Sequence, residues 1–151
     1  MRHLLILMTL YFVQSVAVAQ PDYWSSPGDI GAGTKLVLNK PLNIAAKQTS
    51  ALLEGSGEHH LHKCEIGFLG MIPVNFERQV SGSLTVVNSE LTKWPYGTFP
   101  FQDYDVHVVY LTTDTGNSVS LFCLGHGGVS FGEIYYGQMI EVLSDNGITI
   151  K

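Results

Sequence analysis

Several absences bound this 151-residue chain before any motif is considered. Positive charge is scarce: eight lysines and arginines stand against thirteen acidic residues, and they are scattered rather than clustered. Nucleic-acid binding draws on grouped cations that release phosphate counterions, so that class of partner is excluded. Cysteine is nearly absent, with two residues allowing one internal pairing. After the first few residues no apolar run approaches the roughly 20 residues a membrane-spanning helix needs. The G-x-S-x-G turn that exposes an esterase nucleophile is also missing.

The one markedly apolar run lies at the start. Arg2 and His3 precede Leu4-Leu5-Ile6-Leu7-Met8-Thr9-Leu10-Tyr11-Phe12-Val13, and Ala17-Val18-Ala19 supplies the small-x-small pattern cut by a signal peptidase. The expectation is a signal peptide over 1–19, with Gln20 as the mature N-terminus and the product periplasmic or extracellular. The rival, a transmembrane anchor, needs about 20 apolar residues, and this run is about half that length. No cysteine follows the cleavage site, so the usual bacterial lipid-anchor signal is missing. Without Arg2, seven basic residues face the thirteen acidic ones and leave the mature chain at −6. An oxidising compartment favours a Cys64–Cys123 disulfide. Closing a loop of that length removes denatured-state entropy worth roughly 4 kcal/mol. Two free thiols or half of a metal site are the alternatives.

Residues 20–33 hold Pro21, Pro27, Gly28, Gly31 and Gly33 with little periodicity, and form an irregular lead-in to a β-rich domain over 34–151. Short alternating segments follow at 34–39, 42–44, 49–54, 59–68, 74–80, 83–87, 105–111 and around Cys123, with a last one at 148–150. Pro41 marks an edge or a bend, because proline donates no backbone hydrogen bond. Strands at this spacing, punctuated by sixteen glycines and six prolines, predict an antiparallel sandwich or barrel-like single domain. One segment departs from the pattern. Ser130 and Glu133 have capping-box spacing, Tyr135, Met139, Val142 and Leu143 recur at helical intervals, and Asn146-Gly147 supplies a stop. These predict one C-terminal helix over 131–144. Gly132 and Gly137 favour the rival, a strand pair turning at Asn146-Gly147.

Two stretches carry candidate chemistry. His59-His60-Leu61-His62-Lys63-Cys64 crowds three of the six histidines beside a cysteine. Strand alternation places His60, His62 and Cys64 on one face, where imidazoles two apart can chelate Zn²⁺ or Cu²⁺. His126, three residues beyond Cys123, completes a metal trio of His60, His62 and His126 if Gly125 bulges the strand to correct its parity. A solvated strand start is the plain alternative. The second stretch, 94–104, gathers Trp94, Tyr96, Phe99, Phe101 and Tyr104 in a loop marked by two prolines and a glycine. Aromatics with polar tips suit contact with another envelope protein or a surface glycan. Alternatively, they plug an open end of the β core.

Gly125-His126-Gly127-Gly128 is similar to an oxyanion loop but lacks its nucleophile turn, and Asp103 and Asp105 show no shared cleft. His62-Lys63-Cys64-Glu65-Ile66 and Leu121-Phe122-Cys123 resemble the paired cysteine strands of many small exported β domains. That likeness carries over no functional residue. The functional expectation is an exported, non-catalytic envelope protein that binds a macromolecule. The alternative is a metal- or small-ligand-binding protein built on the histidine-rich strand.

Overall fold

The computed structural model describes residues 26–27, 30–57, 62–70, 72–95, 103–126, 131–132 and 134–151. The expected signal peptide and most of the lead-in lie outside this set. The chain folds mainly as β structure: seven antiparallel strands curl into a half-barrel in the order β10 (Ile148–Ile150), β1 (Lys35–Leu38), β6 (Ser83–Pro95), β7 (Asp103–Thr113), β8 (Ser118–His126), β4 (Lys63–Phe68), β3 (Ser50–Glu54). The expected antiparallel, barrel-like domain with one disulfide is therefore present. A two-stranded ladder stands beside it.

β1 (Lys35–Leu38) turns Leu36 and Leu38 inward, as period-2 alternation predicts. Pro41 then bends the chain out of the main sheet. β2 (Leu42–Ile44) pairs instead with β5 (Arg78–Val80), through Leu42↔Val80 and Ile44↔Arg78. β3 (Ser50–Glu54) and β4 (Lys63–Phe68) form an antiparallel pair with Ala51, Leu53, Cys64 and Ile66 on the buried face. Gly67 is required there: a Cβ would run into the Thr49 carbonyl oxygen and sit 3.1 Å from Ser50 Cα. No other residue allows β3 so close.

β6 (Ser83–Pro95) and β7 (Asp103–Thr113) are the longest elements and extend well beyond their predicted limits. The sequence pattern stops at Val87 because the register shifts between Val86 and Asn88. Leu84 and Val86 face the core before this bulge, while Ser89 and Leu91 pair the core residues Val109 and His107 after it. A bulge reverses which residues point inward, so the polar 88–93 segment remains strand without showing the original alternation. Trp94 and Tyr104, expected in a loop, are strand residues paired directly across the hairpin.

β8 (Ser118–His126) lies between β7 and β4, and its end pairs with the two-residue β9 (Phe131–Gly132). β9 also corrects the predicted helix, since 131–132 is extended. α1 spans Tyr136–Asp145, beginning five residues later than expected. Its start is marked not by the Ser130–Glu133 pair, which lies outside the described residues, but by Tyr135. The Tyr135 backbone N–H donates to Gln138 Oε1 at 2.9 Å, giving capping-box spacing at a non-standard cap residue. Met139, Val142 and Leu143 are buried as the helical periodicity predicts, whereas Tyr135 is exposed.

α1 packs against β10, β3 and β4, and so touches both edges of the curled sheet. It leads directly into β10 (Ile148–Ile150), which pairs with β1 at one edge. At the other edge, Asn146 Nδ2 donates to the Glu54 carbonyl at 3.0 Å and Ser56 N donates to Asp145 Oδ2 at 2.7 Å. The core enclosed between helix and sheet includes Leu36, Ile44, Leu53, Ile66, Leu84, Leu121 and Met139. No helix among the described residues is long and apolar enough to cross a membrane.

Candidate functional site

The cysteine strands meet as expected. Cys64 and Cys123 are directly paired across β4 and β8, 4.1 Å apart at Cα and bonded at 2.07 Å. Both are 1% exposed, so the bond forms part of the core wall. The narrow Cα separation suits the close pairs of an antiparallel ladder.

His62, immediately before β4, is buried, and its carbonyl accepts from Gly55 N at 3.2 Å. It is therefore not part of a solvated strand start. On β8, partners advance without a register shift from Val119 to Leu124, and the backbone of His126 pairs with Phe131. The ladder with β4 ends at Lys63↔Leu124 and does not reach Gly125 or His126. His60 and the His126 side chain lie outside the described residues, as do Tyr96, Phe99, Phe101 and the side chains of Trp94 and Tyr104. No three metal-ligand side chains group together among the described residues.

Two features were missed in the sequence. The first is His107, 1% exposed, on the core face of β7 between Leu91 of β6 and Cys123 of β8. Its Nε2 and Ser26 Oγ share a hydrogen bond of 2.8 Å across 81 residues of chain. A hydroxyl–imidazole contact is half of a nucleophilic pair, but catalysis also needs substrate access and oxyanion donors. The contact ties Ser26 of the lead-in to β7. The visible signal was a histidine within an otherwise β-branched run, Val106-His107-Val108-Val109.

The second feature is the connection between β4 and β5. Leu69, Ile72 and Phe76 are 47%, 76% and 64% exposed within eight residues. The base of this connection is fixed. Leu69 N donates to Ser118 O at 3.0 Å, Lys47 N donates to Val74 O at 2.6 Å, and Arg78 Nη2 donates to Gln48 O at 2.7 Å. The Arg78 guanidinium also lies 5.9 Å from the Phe68 ring centroid, within cation–π reach. Val74 to Val80 had the alternation of a strand, but β2 offers only three pairing residues, so the ladder begins at Arg78. Residues 74–77 are left without a partner strand, and Phe76 faces water. Beside this base, a cleft of about 210 Å³ lies between Phe68, Val80, Ser81 and the 113–117 turn.

On the opposite face of the long hairpin, Tyr110 OH donates to Glu90 Oε1 at 2.6 Å. That hydrogen bond, with smaller contributions from burial and the Glu90 charge, raises the Tyr110 pKa above its ordinary value.

Comparison of the chain with protein-family models, with curated proteins and with solved structures finds no match.

Proposed function

We propose that this is an exported, non-catalytic protein, periplasmic or extracellular, whose role is to bind another macromolecule of the cell envelope. The observation that carries the reading is the apolar surface of the 69–76 connection. Single exposed apolar residues are ordinary, but grouped ones mark contact sites. Leu69, Ile72 and Phe76 are displayed on a loop whose base is held by backbone and guanidinium contacts, which lowers the ordering cost of association. Export is supported by the leader-like first nineteen residues and is consistent with the buried disulfide.

The test is affinity capture from envelope extracts with the wild-type chain and with an Ile72→Asp/Phe76→Asp variant. Both positions are exposed, so the variant should fold normally. A partner retained by the wild type and lost by the variant supports the proposal. Equal retention by both places the contact elsewhere.

A further inference from the structure

The sheet edge and the helix terminus are joined through Asn146. Its Nδ2 donates to Glu54 O at 3.0 Å and to Val142 O at 2.8 Å, so the amide bridges β3 and α1. The next residue, Gly147, has φ +75°. Its N–H donates to Ser144 O at 2.9 Å, and its carbonyl accepts from Asn39 N at 2.9 Å. An asparagine followed by glycine is the pair most prone to spontaneous imide formation, because no Cβ hinders approach of the glycine nitrogen. Here both the side-chain amide and that nitrogen's proton are engaged.

We infer that Asn146-Gly147 is a latent self-modification site, silent while α1 is docked on β3 and reactive once the helix terminus lifts away. In the open state the Gly147 nitrogen loses its proton to hydroxide and attacks Asn146 Cγ. The Cγ–Nδ2 bond breaks, ammonia departs with a proton taken from water, and a five-membered imide closes. Water then adds to either imide carbonyl and leaves an aspartyl or isoaspartyl residue; no oxidation or reduction is involved. The product carries a carboxylate where a donor had faced two carbonyl oxygens, Glu54 O and Val142 O. Acceptor now meets acceptor, and the clamp cannot re-form as before. Each event records an undocking of the helix and weakens its return to the sheet.

The experiment follows amide loss at position 146 by peptide mass spectrometry during incubation of the full chain at mildly alkaline pH. Conversion in the folded protein should be at least roughly tenfold slower than in the denatured, disulfide-intact chain. Asp145→Ala removes the neighbouring Ser56 clamp without touching Asn146, and should raise the native rate several-fold. Low urea, below the global transition, should raise it as well, because local opening exposes surface. Asn146→Asp should lower the melting temperature. Equal rates in folded and denatured chains would overturn the inference. So would a rate that responds only to global unfolding, or an Asn146→Asp variant that melts like the wild type.

Discussion

Removing the Cys64–Cys123 bond should cost this protein a large share of its stability, chiefly through the unfolded state. The two cysteines are 59 residues apart, and cross-linking a loop of that size withdraws chain entropy worth about 4 kcal/mol. Domains of this size have total stabilities of about 5–15 kcal/mol. The native ladder holds Cys64 and Cys123 opposite one another through neighbouring pairs such as Ile66↔Leu121 and Lys63↔Leu124, so the folded backbone need not move when the bond is lost. At roughly 3–5 °C per kcal/mol, Cys64→Ala/Cys123→Ala should lower Tm by about 15 °C. Serine should be worse. Both sites are 1% exposed among Leu53, Ile66 and Leu121, and each hydroxyl left unsatisfied there adds about 1–3 kcal/mol. Thermal unfolding followed by circular dichroism decides the matter. A shift within about 2 °C for the alanine pair would refute the entropic reasoning, and a serine pair as stable as the alanine pair would refute the burial argument.

Two further outcomes follow from local geometry. Gly67→Ala should cost about 1–3 kcal/mol in urea unfolding, as overpacking does, because the new methyl group meets the Thr49 carbonyl and the Ser50 backbone. Tyr110 should titrate above 10.0 in the folded protein, with the Glu90 hydrogen bond the largest cause. A raised folded-state pKa means that this stabilisation is complete below the unfolded value and disappears as pH rises through the folded one. Ultraviolet titration should show the Tyr110 midpoint falling toward 10.0 in Glu90→Ala, which removes the acceptor.

Elements defined by local alternation and a single face were legible in the sequence: β1, β2, β3, β4, β8 and β10 lie where apolar residues recur at every second position. The Cys64–Cys123 pairing was legible because two cysteines leave one internal partner. Features set by nonlocal pairing were not. The bulge after Val86 hides the continuation of β6, since a reversed pattern looks like its end. The short β2 leaves Val74 to Glu77 without a partner strand, so an apparent strand becomes an exposed apolar loop. The Ser130–Glu133 spacing imitated a cap, whereas the chain remains extended through Gly132 and the helix begins after Tyr135. Burial of His107 depends on Ser26 and Cys123, each distant in sequence, and no window along the chain shows it.

The reading of the 69–76 connection as the contact surface is tested most directly by a photo-crosslinking residue placed at position 72 in cells that export the protein. Position 52 is the matched control: Leu52 is also apolar and 53% exposed, but it lies on the edge strand β3. The account predicts a discrete adduct from position 72 and none from position 52. No adduct from position 72, or equal adducts from both, would contradict it.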